Sequence, residues 1–226
     1  MSKRRRTRSS SIDRRWVIGG GVGLLLMMAA LIVGSLSRVP PSAASVDVAV
    51  PTSALSECGD SSCGRADAPV TIEVYADFQC PYCKQADAIL QQVMPPYISA
   101  GKARLIYKNL PVIGPESQPA AEAALCAADQ NKFWTYANYL FARQGNENSG
   151  VFSSNNLKTF AAGLGLDARQ FNTCLDSGQY AATVRQQAAE ARQRGVTGTP
   201  TFFIGGQRYE GVLSADQLAS LIEARQ

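Results

Sequence analysis

Cys80 and Cys83, separated by Pro81 and Tyr82, are the residues of this sequence best placed to do chemistry. The β-rich run Val70–Phe78 precedes them, and a run with helical spacing of apolar residues follows. A cysteine at a helix N-terminus faces unpaired backbone N–H groups and the positive end of the helix dipole, which favour the thiolate. We therefore predict that Cys80 is the exposed, attacking thiol, with a pKa below the free value of about 8.5. Cys83 is predicted to be the buried, less acidic partner.

The counts of two residue types narrow the chemistry further, because the chain has six cysteines and no histidine. Without histidine, a Ser-His-Asp hydrolase and a Cys-His protease are excluded, and the commonest metal ligand is missing. Thiol chemistry is therefore the main chemistry that the sequence supports, and no cofactor is implied.

The amino-terminal segment predicts a membrane anchor. Trp16–Leu36 is a run of 21 uncharged residues, which as a helix is roughly 31 Å long and spans a hydrocarbon core of about 30 Å. Residues 1–15 carry a net charge of +6, so the positive-inside rule places them in the cytoplasm. A signal peptide cleaved near Ser42-Ala43-Ala44 is the alternative, and both place the body outside the cytoplasm. That body has a net charge of −2, with no basic surface typical of nucleic-acid binding.

The rest of the chain is assigned to a linker and one domain. Residues 37–65 are predicted to be an extracytoplasmic linker, the first part of which is rich in Pro, Ser and Ala. Residues 66–226 are predicted to begin as a β-α-β unit with parallel strands. Its helix starts at Pro81 and is expected to end near Pro95-Pro96, and its second strand is Ala103–Leu110.

A helical insert is predicted at about residues 113–195. It starts with one long helical pattern over residues 116–144, and three shorter patterns follow. Its aromatic residues are predicted to form the core of the insert: Phe133, Trp134, Tyr136, Tyr139 and Phe141. After the insert, Pro200–Ile204 and Gln207–Glu210 are predicted to form a hairpin. Ser214, with Gln217 three residues later, is predicted to cap a final helix.

A Gly-Thr-Pro sequence ending at Pro200 precedes the first strand of that hairpin, which suits a cis proline. Because proline has no N–H group, nearby backbone groups stay free to pair with a bound peptide. An ordinary loop proline is the alternative.

Three motifs in this order, DFQCPYCK, ALCAADQNKFW and GVTGTPTFFIGG, resemble those of the DsbA-like thiol–disulfide oxidoreductases across residues 66–226. The resemblance implies an α/β, thioredoxin-like fold with an inserted helical domain, here preceded by one transmembrane helix. It implies that Cys80 attacks, that Cys83 resolves, and that a cis Pro200 lies opposite the pair with Thr199 near the sulfur. It also implies cysteine-containing secreted or membrane proteins as substrates, and a membrane quinone-linked oxidase of the DsbB or VKOR type that re-oxidises the pair.

Two positions depart from the pattern of that family. Many relatives have a buried acid six positions before the first cysteine, where this chain has Val74, and the neighbouring Glu73 is expected on the other face of the strand. The best-studied oxidase has histidine between its cysteines, where this chain has Tyr82. We therefore expect a milder oxidant.

The other four cysteines are predicted to be structural. Cys126 and Cys174 lie on two helices of the insert, and a disulfide between them is expected outside the cytoplasm, with two buried free thiols as the alternative. Cys58 and Cys63 flank a short loop, which favours a second disulfide. Two alternatives stay open for Cys58 and Cys63: a redox relay with the active pair, and a zinc site formed by the four thiolates of Cys58, Cys63, Cys80 and Cys83.

These observations favour an enzyme that introduces disulfides into extracytoplasmic proteins and is held by a single-pass anchor in the cell membrane. Two alternatives remain. One is a disulfide reductase or isomerase whose pair is kept reduced, and the other is a non-catalytic module that is stabilised by zinc or binds peptides.

Overall fold

Leu55 and residues 58–226 are described by the structure, a computed structural model, and they form a five-stranded sheet flanked by helices. At the centre of the sheet, β2 (Val70–Ala76) runs parallel to β3 (Ala103–Asn109), and each residue of β2 is paired with one of β3. The predicted β-α-β unit is therefore confirmed. Both strands end one or two residues earlier than the sequence predicts.

Two short strands form the edges of this sheet. β1 (Ser62–Cys63) pairs antiparallel with β3, although the sequence assigns these residues to the linker. That assignment is wrong at its carboxyl end, because hydrogen bonding to β3 extends the sheet into it and Leu55 is buried as well. On the other side, β4 (Thr201–Ile204) pairs antiparallel with β2, and β5 (Gln207–Glu210) pairs with β4. The strand order is β1-β3-β2-β4-β5.

The helix α1 (Pro81–Ser99) joins β2 to β3 and continues through Pro95 and Pro96. The prediction that it ends near these prolines is wrong. Proline removes a backbone hydrogen bond from a helix interior, but Tyr97 and Ile98, beyond the prolines, still pack against the hydrophobic core. Tertiary packing thus sustains the last turn, which local propensity disfavours.

Five helices form the insert in the described part of the chain: α2 (Ser117–Ala128), α3 (Phe133–Arg143), α4 (Ser154–Gly163), α5 (Ala168–Ser177) and α6 (Ala181–Gln193). The single long helix predicted over residues 116–144 is wrong, because the chain leaves the helix after Ala128. Asn131 in the break has a φ of 56°, a left-handed conformation that asparagine tolerates better than most residues do. All five aromatic residues predicted for the core are buried.

The chain ends in α7 (Ala215–Glu223), which begins with the predicted capping box. Ser214 Oγ accepts the N–H of Gln217, and Gln217 Oε1 accepts the N–H of Ser214. Within the described residues, no helix has the length and hydrophobicity needed to cross a membrane. The predicted anchor at Trp16–Leu36 lies outside the residues that the structure describes.

Candidate functional site

Cys80 and Cys83 lie where β2 leads into α1, with Cys80 as the N-cap residue and Cys83 in the first turn. Both are free thiols. The carbonyl oxygen of Cys80 accepts the N–H groups of Cys83 at 3.0 Å and Lys84 at 3.2 Å, which closes the first turn of the helix. Pro81 occupies the first helical position, where the absence of an N–H group costs nothing.

The two thiols have opposite acidities. A hydrogen bond with the Cys83 side chain lowers the pKa of Cys80 to about 6 against the opposing effect of burial, and Thr199 and the backbone of Cys83 and Tyr82 lower it further. Burial raises the pKa of Cys83 far above its usual range, and the neighbouring Cys80 adds a smaller increase to this pKa. At neutral pH the negative charge of the reduced pair therefore lies on Cys80.

The cis-proline segment covers Cys80. The peptide bond between Thr199 and Pro200 is cis, and the Cys80 Sγ lies 3.4 Å from the Thr199 carbonyl oxygen, to which it donates when the thiol is protonated. The sequence predicts an exposed Cys80, but only 3% of the residue is accessible, against 1% for Cys83. That prediction of exposure is wrong, because this segment folds over the sulfur. Thr199 and Pro200 themselves lie beside the Cys80 sulfur.

Asp77 holds the backbone that precedes the pair. Its Oδ2 atom accepts the N–H groups of Val112 at 2.8 Å and Ile113 at 2.9 Å, and its Oδ1 atom accepts that of Gln79 at 2.9 Å. Its own N–H group points to the Cys83 Sγ, 3.5 Å away. This buried carboxylate thus joins the segment after β3 to the active-site turn.

A loop of the insert forms hydrogen bonds with the same turn. Gln144 Nε2 donates to the carbonyl oxygens of Phe78 at 2.8 Å and Cys80 at 3.0 Å. Asn148 donates its N–H to Gln79 Oε1 at 2.6 Å. Sequence analysis missed Gln144, since it lies in a polar loop 64 residues from Cys80 and no local pattern marks it.

Glu73 is directed away from the cysteine pair, as strand alternation predicts. It forms ion pairs with Arg194 at 2.8 Å and Lys108 at 4.0 Å. The guanidinium of Arg194 also stacks 3.6 Å from the centre of the Phe203 ring. This ionic cluster therefore holds the segment after α6 against the sheet, just before the cis proline.

Sequence analysis also missed a buried acid, Asp87, which is only 9% exposed. It lies four residues after Cys83 and three before Leu90, so it shares the buried face of α1 with both. That spacing was the available signal. The prediction did not use this spacing, because a charged residue such as Asp87 is seldom expected on a buried helix face.

The other four cysteines form two disulfides in the structure. The disulfide between Cys126 and Cys174 joins α2 to α5, and the Cα atoms of these residues are 5.9 Å apart. A second disulfide links Cys58 to Cys63, whose Cα atoms are 5.3 Å apart. The second linkage occupies two of the four thiolates that the alternative zinc site needs.

Comparison with known proteins places these features in a family. The family model described as thioredoxin matches residues 57–224. The chain belongs to this thioredoxin family. A curated relative, the Na(+)/H(+) antiporter NhaA 3 of Salinispora tropica, is 35% identical over 161 residues, which are 70% of this chain and 24% of that protein. The chain thus spans about a quarter of the length of the curated relatives it matches.

Solved structures share the thioredoxin-like fold. A thioredoxin-like oxidoreductase from Silicibacter pomeroyi is 27% identical with a TM-score of 0.62, over 72% of this chain and 90% of that one. Chlamydia trachomatis DsbA is 20% identical with a TM-score of 0.63, and the match covers 73% of this chain and 90% of that one. The fold is therefore that of DsbA-like thioredoxin-fold proteins.

Proposed function

We propose that this chain is a protein thiol–disulfide oxidoreductase that introduces disulfides into extracytoplasmic proteins through Cys80 and Cys83. The observation that carries this proposal is the acidity of Cys80, whose pKa is about 6. A thiol of low pKa is a good leaving group, so a disulfide to Cys80 exchanges readily. A stabilised thiolate also favours the reduced form of the pair, which makes the oxidised form an oxidant.

The reaction begins when a substrate thiolate attacks the Cys80 sulfur of the oxidised pair. The bond between Cys80 and Cys83 breaks, and Cys83 leaves with the electron pair and takes up a proton. A second substrate thiolate then attacks the substrate sulfur of the mixed disulfide, and Cys80 leaves as a thiolate. Two electrons pass from the substrate dithiol to the pair, and the substrate gains a disulfide.

The surface around Cys80 supports a polypeptide substrate. Tyr82 lies between the two cysteines and is 61% exposed, and Val112, which donates its N–H to Asp77 shortly before the pair, is 54% exposed. A cleft of about 400 Å³ lies against Pro81 and extends to Asn146 and Glu147 of the insert. We propose that these exposed side chains and this cleft contact the polypeptide substrate.

Location and partner follow from the same proposal. We place the domain outside the cytoplasm, held by the anchor Trp16–Leu36. Since each turnover leaves the pair reduced, a membrane quinone-linked oxidase of the DsbB or VKOR type is proposed to re-oxidise it.

The reduction potential of the Cys80–Cys83 couple tests the direction of exchange. We expect equilibration of the full-length protein with glutathione to give a potential between that of thioredoxin, about −270 mV, and that of the strong oxidant DsbA, about −120 mV. The Cys80→Ser and Cys83→Ser variants are the controls, since neither can form the couple. A potential at or below the thioredoxin value would contradict the oxidase assignment and favour a reductase.

A further inference from the structure

A cluster of largely buried polar side chains, here called the polar pocket, lies between α1, α3 and β3, and Asp87 on α1 is its acid. Asp87 is one helical turn from Cys83, and side chains at this spacing are neighbours, with Cβ atoms about 5–6 Å apart. Its Oδ1 atom accepts a hydrogen bond from Gln91 Nε2 at 3.3 Å. Among the described residues, no ion pair involves Asp87.

The pocket continues from Asp87 onto α3 and β3. Gln91 Nε2 also donates to Asn138 Oδ1 at 2.7 Å. Trp134, one turn before Asn138, lies edge-on to the ring of Tyr107 with 6.2 Å between ring centres. Tyr107 is paired with Val74 of β2 in the register of the sheet.

Tyr107 connects the two ends of this pocket. Burial raises the pKa of Tyr107 well above its usual range, and negative charges on Cys83, Asp77, Asp87 and Cys80 raise it further. The hydroxyl is therefore within electrostatic reach of both Asp87 and Cys83. Cys83, Asp77, Asp87 and Cys80 are thus the ionisable groups whose charge acts on Tyr107.

Three donors in this pocket are buried without a hydrogen-bond partner in the described residues: the Tyr107 hydroxyl, Trp134 Nε1 and Asn138 Nδ2. Buried donors are normally paired, with protein groups or with ordered water. These donors on α3 and β3 lie with the Asp87 carboxyl of α1, so three elements contribute polar groups that can hold water or pass on a proton.

Asp87 is also the carboxyl best able to exchange a proton here. Burial raises the pKa of Asp87 to about 7, against a smaller opposing effect of Gln91. Asp77, by contrast, is committed to three backbone N–H donors, and Glu73 is paired with Arg194 on the other face of the sheet. A group with a pKa near the working pH can both give and accept a proton efficiently.

We propose that Asp87 is the buried acid that exchanges a proton with Cys83, through the Tyr107 hydroxyl or a water molecule in this pocket. The proposal rests on the function proposed above. When substrate sulfur bonds to Cys80, the Cys83 sulfur leaves with the electron pair and the proton of Asp87 passes to it. When Cys83 attacks a mixed disulfide at Cys80, its proton returns to the Asp87 carboxylate. The proton on Asp87 then equilibrates with solvent.

The test isolates the step in which Cys83 attacks. Full-length protein is converted to the mixed disulfide of Cys80 with glutathione, and the release of glutathione by Cys83 is followed between about pH 5 and pH 9. We expect the rate for the wild type to rise through an inflection near pH 7. Asp87→Asn should lose this inflection and release glutathione roughly ten- to a hundredfold more slowly at pH 7. Asp87→Glu should restore the inflection.

Glu122→Gln is the matched control. Glu122 is a largely buried carboxyl on α2, bonded to Gln118, and its loss should leave both the rate and the inflection unchanged. Asp87→Asn should still fold. Since the folded-state pKa of Asp87 is raised, the wild type loses stability as the pH rises from about 4 to about 7, and the variant should not.

Two results overturn the inference while the proposed function stands. One is a wild-type rate profile in Asp87→Asn, and the other is uniform slowing that leaves the inflection in place, as a packing defect would produce. If the wild-type protein itself forms no mixed disulfide at Cys80 that Cys83 resolves, the proposed function fails as well. Alkylation of Cys80 should proceed equally in the wild type and Asp87→Asn, which separates a defect at Cys83 from one at Cys80.

Discussion

The acidity of Cys80 depends first on Cys83, because the largest effect that lowers its pKa is the hydrogen bond with that side chain. The ordinary helix N-terminal contribution, from the backbone N–H groups of Cys83 and Tyr82, is smaller. The sequence predicts the helix effect from position alone. It does not reveal how far the partner thiol contributes, because that depends on the distance between two sulfurs.

We therefore expect alkylation of the reduced wild-type protein by iodoacetamide to titrate near pH 6 at Cys80. In Cys83→Ala the midpoint should move upward, toward the ordinary thiol value, because the bonded partner is lost. The same variant should trap substrates in mixed disulfides through Cys80, whereas Cys80→Ala should be inert. Peptide mapping after alkylation identifies the reacting residue, and faster reaction at Cys83 would reverse the roles assigned to the pair.

Single residues show where the sequence pattern is informative and where it is not. The C-x-x-C spacing and the Gly-Thr-Pro sequence identify Cys80, Cys83 and Pro200, because both are local and both suit a particular backbone geometry. The roles of Asp87 and Gln144 arise from tertiary contacts. The burial of Asp87 requires α3 to pack over it, and the contact of Gln144 with Cys80 requires the insert to fold back on the turn.

At the scale of elements, the insert is held by two kinds of contact. The Cys126–Cys174 disulfide joins α2 to α5, and the ionic cluster around Arg194 ties the segment after α6 to the sheet. The helical block is predictable from periodicity, but its division is not. The break between α2 and α3 depends on one left-handed Asn131, and the extension of α1 past Pro95 depends on core packing.

We expect the double variant Cys126→Ala/Cys174→Ala to lower the free energy of unfolding by about 4 kcal/mol, since the disulfide closes a loop of 48 residues in sequence separation. Thiol exchange at Cys80 should persist below the unfolding transition, because the site lies on other elements. Urea unfolding monitored by circular dichroism measures the change. Unaltered stability, or recovery of both residues as alkylatable thiols in untreated protein, would contradict the pairing.

At the scale of the whole molecule, the folded domain is larger than the sequence predicts, since β1 and Leu55 belong to it. β1 is only two residues long and has no alternation that a pattern search detects. The run Trp16–Leu36 differs from β1, because its length and its lack of charge can be read from the sequence and predict a spanning helix directly.

We expect the full-length protein to remain in the membrane fraction after washing with alkaline carbonate, because 21 uncharged residues behind a strongly basic segment favour a spanning helix. A variant lacking residues 1–36 is the control and should be released. A soluble mature form that begins near Ser45 would instead establish a cleaved signal peptide.

The edges of the sheet determine whether other extended chains can add to it as further strands. One edge is limited to the two residues of β1, and the other carries the charged pair Arg208 and Glu210 on β5. Long, apolar, unpaired strands invite other extended chains to add to a sheet, and short or charged edges discourage it. These edges are therefore poorly suited to pair with other extended chains. For the oxidoreductase proposed above, this means that an unfolded substrate can be bound and released without being added to the sheet.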